Sequence, residues 1–155
     1  MKMMNNTSQK KVLPPTILLI ALLLMLGLHF LFPVFKIIPA PWNFFGLLPV
    51  AAGITMNYLA DDSFKRVKTA VNPFHNPSTL VTGGVFKISR NPMYLGFVLI
   101  LLGVAVLLGR LMPFGVVPLF MAWIQIRFIG IEERALETQF GQDWFEYKAK
   151  VRRWI

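Results

Sequence analysis

The sequence contains no cysteine, only two histidines, and seven acidic residues against sixteen lysines and arginines. The absence of cysteine excludes disulfide bonds, thiolate metal sites and a cysteine nucleophile. His29 and His75 stand far apart in the sequence and do not have the spacing of metal ligands, so we expect no metal. The basic residues sit between and beside apolar runs, and the net charge of +9 therefore indicates loops near anionic lipid headgroups rather than binding to nucleic acid.

Charged residues are scarce overall, at 15% of the chain against 55% hydrophobic residues. This composition is too apolar for an ordinary soluble domain of the same length. The apolar residues also form long runs, which would leave more apolar surface in water than a small core could hide. The sequence therefore predicts a single all-α integral membrane domain covering residues 1–155, with the lipid bilayer as its main partner.

Four apolar runs predict four transmembrane helices, because about 20 helical residues cross a hydrocarbon core of about 30 Å. Gly109 and Arg110, followed by Pro113, supply a turn between the last two runs, so these runs pair as a helical hairpin. Both are slightly short for a full crossing, which implies tilt or local thinning of the bilayer. The predicted spans are 15–35, 42–60, 93–109 and 111–130, with a long loop at 61–92 and a helical tail at 131–155.

The basic residues predict the orientation, because most of them fall in the N-terminal segment, the long loop and the tail. The positive-inside rule then places both termini and the loop in the cytoplasm, and we expect the inner membrane of a prokaryote. Within the tail, Gly141 is a plausible helix stop, and Asp143 with Glu146 resembles a capping box that starts a last helix. Its aromatic and basic residues are typical of an amphipathic segment on the membrane surface.

Two polar clusters flank the predicted hairpin, one at Arg90–Tyr94 and one from Gln125 to Glu133. Because the hairpin brings its two open ends together, these clusters are expected to be neighbours at the cytoplasmic interface. Charges at span ends can also serve only as headgroup anchors, and the charge pattern alone favours that interpretation. For four aromatic residues, composition alone favours an interfacial belt: Tyr94, Trp144, Tyr147 and Trp154.

The order of residues in this region is more specific than its composition. Residues 78–96 read STLVTGGVFKISRNPMYLG, and the hairpin that follows leads to Glu132-Glu133, Phe140-Gly141 and Tyr147. This arrangement closely resembles the isoprenylcysteine carboxyl methyltransferase and phospholipid N-methyltransferase family of integral membrane enzymes. The resemblance covers the chain from about residue 61 to the end, whereas the first sixty residues are unspecific membrane helices.

The resemblance implies S-adenosylmethionine as cofactor and a set of site residues. The implied cofactor contacts are Thr79, Leu80, Val81, Phe86, Asn91, Pro92, Met93, Tyr94 and Glu132. Arg90 and Tyr94 would position the reactants, and Arg127 and Glu133 are candidates for substrate binding. The best-known family members have histidine at the position of Asn91, but an asparagine side chain can still donate and accept hydrogen bonds.

The residue chemistry is compatible with this activity. A carboxylate such as Glu132 can accept hydrogen bonds from the ribose diol or the amino group of the cofactor, and aromatic side chains can cover the adenine. Methyl transfer depends mainly on alignment of the reacting atoms. We therefore expect methylation of an amphiphilic, lipid-like acceptor, either a carboxylate or an amine, at the cytoplasmic face. The sequence leaves the oligomeric state open.

Two alternatives remain at this stage. A small membrane module without chemistry, such as a transporter subunit or assembly factor, could assemble through its glycine-containing helices. A membrane reductase with a nicotinamide cofactor would share a related cytoplasmic half, but this chain lacks the additional spans expected of such an enzyme.

Overall fold

The computed structural model describes residues 13–67 and 78–155, and this part of the chain is helical apart from its connections. A short 3₁₀ turn at Trp42–Gly46 precedes the second helix, and another at Gly84–Lys87 precedes the third. A π-helical segment, Gln125–Ile129, joins the fourth helix to the fifth without a break. The helices are α1 (Pro14–Leu31), α2 (Leu47–Arg66), α3 (Pro92–Leu108), α4 (Leu111–Ile124), α5 (Gly130–Phe140) and α6 (Gln142–Lys150).

The all-α membrane architecture predicted from the sequence is confirmed in its coarse form. Among the described residues, three helical stretches are long and apolar enough to cross a bilayer: Pro14–Leu31, Trp42–Arg66 and Leu111–Phe140. Many large apolar side chains on these helices are exposed, as expected of surfaces that face lipid. Helix α3 has 17 residues, which corresponds to about 25 Å at 1.5 Å per residue. Four spans with both termini in the cytoplasm therefore stay a prediction.

Several predicted boundaries are wrong. Helix α1 ends at Leu31 rather than at residue 35, because the chain beyond it turns at Phe35 (φ +48°) and pairs with the connection between α3 and α4. There the backbone N–H groups of Ile37 and Ile38 both donate to the carbonyl oxygen of Gly109. The predicted loop does not begin at residue 61, because α2 continues to Arg66. The basic segment 1–12 and residues 68–77, including His75, lie outside the described residues.

The predicted organisation of the tail is also partly wrong. The chain does not leave the last span at residue 130, because the π-helical segment carries the helix directly into α5. Gly141 does end α5, with a φ of +49°, so the predicted helix stop is confirmed. The capping box is absent: α6 begins at Gln142 with no side-chain cap, and Glu146 instead accepts a hydrogen bond from Gln142.

Glycine faces bring α2 and α3 into close contact. Gly96 and Gly103 stand seven residues apart on one side of α3, which is close to two helical turns. They face Gly53 and Gly46, which have the same spacing on the other chain segment. A Cβ atom at Gly53 would overlap the carbonyl oxygen of Gly96, and one at Gly46 would overlap that of Gly103. Small residues therefore permit the backbones to approach, as is common for helices packed in membranes.

Two apolar clusters hold the helices together. The larger one joins α1, α3 and α4 around Met25, Leu101 and Ile124, none of which is exposed. The smaller one, beside the start of α3, joins α2, the turn at Gly84–Lys87 and α6. It packs the end of the 61–92 segment against the tail, and most of the predicted site residues lie in or beside this contact.

Burial also corrects the aromatic-belt interpretation. Trp144 is 1% exposed and Tyr147 is 7% exposed, so both lie inside the smaller cluster rather than at a lipid interface. Tyr94 is 7% exposed within the larger cluster. Helix α6 is therefore packed against the protein through Trp144 and Tyr147, and the tail is not a detached surface segment.

Candidate functional site

The start of α3 is fixed by hydrogen bonds to the end of the chain. Pro92 occupies the first helical turn, where a missing N–H group is tolerated. Asn91, the residue before it, donates its backbone N–H to Ser89 Oγ at 3.1 Å. The side-chain Nδ2 of Asn91 donates to the carbonyl oxygen of Arg153 at 3.2 Å. The Asn91 side chain thus bonds to the tail.

Tyr94 and Glu132 form the central polar contact. Tyr94 lies in the first turn of α3, and its hydroxyl donates to Glu132 Oε1 at 2.5 Å. Its ring lies beside the rings of Phe97 and Phe128, with centroids 6.4 Å away in each case. The structure therefore brings together the two polar clusters that the sequence placed at the open ends of the hairpin. A short hydrogen bond to a carboxylate in an apolar setting fixes the direction of that carboxylate.

Glu133 is a buried carboxylate shared by two arginines. Arg153 binds it with two donors, Nε to Oε1 at 3.1 Å and Nη2 to Oε2 at 2.5 Å. Arg90 Nη2 lies 3.3 Å from Oε1. Glu133 is 7% exposed, and a buried charge of this kind requires such partners. The hydrogen bond to Glu133 raises the pKa of Arg153. Both oxygens of Glu133 are thus engaged within the protein, and its predicted contact with substrate stays a prediction.

The last residues of the chain close over this region in a set of contacts that we term the tail clasp, formed by residues 152–154. Ser89 Oγ donates to the carbonyl oxygen of Arg153 at 3.0 Å. The backbone N–H of Arg90 donates to the carbonyl oxygen of Arg152 at 3.0 Å. Trp154 Nε1 donates to Gln125 Oε1 at 3.2 Å. The clasp therefore ties the segment before α3 to the end of α4.

Sequence reasoning missed Ser89 and Arg153 as site residues. Arg153 is one of several basic residues in the tail, and no spacing distinguishes it from its neighbours. The only usable signal was a count of charges: a pair of glutamates at a membrane boundary requires partners, and the tail supplies arginines.

Apolar side chains form the second half of the candidate site. Phe86 is 6% exposed and lies against Phe64, with the ring centroids 5.2 Å apart. Tyr147 Oη donates to the carbonyl oxygen of Phe86 at 2.7 Å. Burial raises the pKa of Tyr147 to about 12, although the nearby charge of Arg90 lowers it. Three other predicted cofactor residues pack against the same cluster: Leu80, Val81 and Met93.

Two predicted residues lie away from these contacts. Thr79 is exposed, in the irregular segment before the turn at Gly84–Lys87. Arg127 is also exposed, and its guanidinium lies 5.7 Å from the ring centroid of Trp123, one turn earlier along the same helix. The structure therefore assembles most of the predicted set but places Arg127 over Trp123, an exposed tryptophan.

The fold and the site define a class: an all-α membrane protein with a carboxylate-containing site at one end of its helices. The family model for phospholipid methyltransferases matches residues 42–143, about two thirds of the chain. The chain therefore belongs to the phospholipid methyltransferase family and is a methyltransferase of membranes.

Similarity to individual proteins gives less information about function than the family match does. A relative from Haemophilus influenzae is 41% identical over 63 residues, which is 41% of this chain and the whole of that protein. It carries only the description "Uncharacterized protein", so it assigns no activity. No solved structure matches the chain.

One part of the candidate site lies within the residues that match the family, and another part lies outside them. Tyr94, Glu132 and Glu133 lie inside the matched residues, whereas the tail clasp and helix α1 lie outside them. Methyltransferases of this family generally use S-adenosylmethionine. The contacts made by Arg153 and Trp154 are therefore observations of this structure that the family match does not cover.

Proposed function

We propose that this protein transfers a methyl group from S-adenosylmethionine to a lipid-like acceptor at the cytoplasmic face of the membrane. The observation that carries the proposal is the hydrogen bond between Tyr94 and Glu132 at the junction of polar and apolar surroundings. Family membership supports the reaction type. The acceptor group is an amine or a carboxylate on an amphiphilic molecule, for which the apolar outer surface of the helices provides a route from the bilayer.

The residues present fit this cofactor chemically. Glu132, with Oε1 held by the Tyr94 hydroxyl, offers a fixed carboxylate that can accept hydrogen bonds from a ribose diol or an ammonium group. The apolar side chains around Phe86 offer the kind of surface that an adenine ring contacts. When bound, S-adenosylmethionine would supply an electrophilic methyl group attached to a sulfonium.

The contribution of the chain is mainly positional. Tyr94 fixes the direction of the Glu132 carboxylate, and the tail clasp fixes the segment that begins α3. Alignment of the reacting atoms is the main requirement of an in-line displacement. A carboxylate acceptor needs no base, whereas an amine acceptor must be neutral, and a glutamate such as Glu132 could accept its proton.

The main alternative is a membrane module without chemistry. Family membership favours the methyltransferase, and the tightly packed polar site favours it as well, because buried ionic groups in a membrane protein are costly and usually functional. The reductase alternative predicts binding of NADPH, which a titration with that nucleotide tests directly.

Titration of the detergent-purified protein with S-adenosylhomocysteine tests the cofactor. We expect saturable binding to the wild type and a loss of affinity of about 10-fold or more in Glu132→Ala, since a hydrogen bond to a charged group contributes roughly 1.5–3 kcal/mol. Glu137→Ala is the matched control, because Glu137 lies on the same helix and is half-buried, with its carboxylate near Lys148 rather than in the site. The absence of binding to folded wild-type protein, in detergent and in lipid nanodiscs, would contradict the proposal.

Transfer of labelled methyl groups tests the acceptor. The protein is mixed with methyl-labelled S-adenosylmethionine and vesicles that contain either an aminophospholipid or an isoprenylated cysteine with a free carboxylate. Label in the lipid fraction identifies the acceptor class, and its loss in Glu132→Ala links the activity to the site. Cofactor binding without transfer to either vesicle would contradict the two acceptor classes proposed here while leaving the cofactor assignment standing.

A further inference from the structure

Arg90 is buried with most of its hydrogen-bond donors unused. Its side chain is 8% exposed, and its ion pair with Glu133 consists of one contact through Nη2 at 3.3 Å. Nε and Nη1 are buried and donate to no described residue. These two atoms carry three of the five N–H groups of a guanidinium. Donors of a charged group that are removed from water without an acceptor are costly.

The two carboxylates of the site do not meet this need. Glu133 receives two hydrogen bonds from Arg153, one on each oxygen, and these are shorter than its contact with Arg90. Glu132 accepts a hydrogen bond from Tyr94 and lies beyond ion-pair distance of Arg90. Arg90 therefore retains unused donors, and these indicate an acceptor other than the two glutamates beside it.

Trp144 supplies a second unused donor next to Arg90. The guanidinium carbon of Arg90 lies 5.5 Å from the centroid of the Trp144 ring. Trp144 is 1% exposed, and its Nε1 is buried without a partner among the described residues. The neighbouring Tyr147 hydroxyl donates to the carbonyl oxygen of Phe86 and accepts from neither Trp144 Nε1 nor the unused nitrogens of Arg90. Two adjacent buried residues thus present N–H donors and one positive charge.

We propose that Arg90 and Trp144 form an anion-binding subsite that takes a carboxylate or a phosphate group. Such groups accept several hydrogen bonds at once and match the fork of donors on an arginine. The carboxylate at the amino-acid end of the cofactor is one source, and for that source the inference rests on the proposed function. The phosphate of a membrane lipid is the other source.

A comparison of two ligands tests the carboxylate source through binding alone. S-adenosylhomocysteine and its decarboxylated form are titrated into the wild type, Arg90→Gln and Trp144→Phe, the last of which keeps an aromatic ring but loses the N–H donor. We expect decarboxylation to weaken binding about 10-fold or more in the wild type and distinctly less in both variants. Lys150→Gln is the control, because the Lys150 side chain is exposed and lies outside the tail clasp, and it should keep the wild-type ratio.

The outcomes separate a ligand contact from a structural stacking of Arg90 on Trp144. Stacking alone predicts that each variant weakens both ligands by the same factor. An unchanged ratio in Arg90→Gln and Trp144→Phe, in protein shown to be folded by circular dichroism, would therefore overturn the carboxylate source.

A second arm tests the phosphate source and does not depend on the cofactor. The thermal unfolding midpoint is measured with inorganic phosphate, with vesicles of an anionic phospholipid, and with vesicles of a neutral glycolipid. If the subsite binds phosphate, anionic lipid should raise the unfolding midpoint of the wild type. The rise should be smaller in Trp144→Phe. If the wild type binds no S-adenosylhomocysteine but shows this rise, the proposed function fails and the subsite stands. If neither arm distinguishes the wild type from the variants, the subsite is refuted.

Discussion

At the scale of single residues, the site combines one hydroxyl–carboxylate pair with one carboxylate shared by two arginines. Tyr94 orients Glu132, and Arg153 with Arg90 surrounds Glu133. The adjacent glutamates therefore have different environments, since one bonds to a neutral donor and the other to two positive charges. This difference indicates separate roles, with Glu132 available to a ligand and Glu133 holding the tail in place.

Removal of the Tyr94 hydroxyl should weaken cofactor binding without unfolding the protein. In Tyr94→Phe the ring keeps its contacts, but Glu132 loses the donor that orients it. We expect the Kd for S-adenosylhomocysteine to rise about 10-fold, which corresponds to roughly 1.4 kcal/mol. Calorimetric titration measures the change, and Tyr58→Phe is the control, since Tyr58 is 71% exposed. Equal affinities for Tyr94→Phe and wild type would argue against a role for this hydrogen bond.

Ionisation of the Tyr147 hydroxyl should lower the stability of the folded protein at alkaline pH. Burial raises its pKa from 10.0 to about 12 in the folded protein. Because the folded state holds this proton more tightly than the unfolded state, the contribution is complete below pH 10 and is lost as the pH rises through about 12. At neutral pH, Tyr147→Phe should cost about 1 kcal/mol through loss of the bond to Phe86. Denaturation curves at several pH values should show that the difference between variant and wild type shrinks above pH 10; a constant difference would contradict this.

At the scale of helices, close packing of α2 on α3 depends on glycine positions rather than on large apolar side chains. Gly53 and Gly96 face each other near the middle of the contact, and Gly96 also lies against the Asn57 side chain. Asn57 Nδ2 in turn donates to the carbonyl oxygen of Gly53 at 2.9 Å. The beginning of α3, which carries the site, is therefore positioned by backbone contacts a turn or two away.

A methyl group at Gly53 should push these helices apart. Its Cβ would overlap the backbone oxygen of Gly96, which cannot move as a side chain can. We expect Gly53→Ala to destabilise the protein by about 1–3 kcal/mol, a typical cost of overpacking. Gly115→Ala, in α4, meets no atom within 4 Å and should be neutral or slightly stabilising, because alanine favours helix. Unfolding in detergent or by steric trapping measures both; similar values for the two would contradict the packing account.

At the scale of the whole molecule, the two ends of the described structure differ in charge. All seven acidic residues lie in the last two turns of α2 or from α5 onward, and ten of the described lysines and arginines lie at the same end of the molecule. The opposite end, where residues 35–38 meet the connection between α3 and α4, carries Lys36 and Arg110, whose backbones pair. The predicted orientation places this highly charged end, with the site, in the cytoplasm.

The absence of native cysteine makes this orientation easy to measure. Single cysteines are introduced at Ala40, in the exposed connection before α2, and at Lys150, at the end of α6. An impermeant maleimide added to intact cells should label Ala40→Cys and not Lys150→Cys, whereas both should react after the membrane is opened. The reverse pattern would overturn the orientation and move the proposed cofactor site to the other side.

Much of the fold and part of the site could be predicted from the sequence. The apolar runs indicated membrane helices, and the turn at Gly109 and Arg110 placed Arg90–Tyr94 next to the two glutamates. The tail clasp could not be predicted, because hydrophobic periodicity reports which face of a helix is buried but not which basic residue pairs with a given carboxylate. The position of the aromatic residues of α6 was predicted wrongly for a similar reason. A tryptophan beside lysines has the same sequence pattern whether it lies at a lipid surface or in a protein core.

The π-helical segment between α4 and α5 has a consequence for insertions and deletions. Each residue of an α-helix turns the chain by about 100°, and a π turn holds one residue more than an α turn. Removal of one residue from 125–129 would therefore leave a complete α turn and keep Glu132 and Glu133 facing Tyr94 and Arg90, whereas removal of one residue from α4 would rotate both glutamates by about 100°. The site thus depends on the phase of the helix as well as on its side chains, and a relative that keeps both glutamates but lacks the extra residue of the π turn should share the geometry.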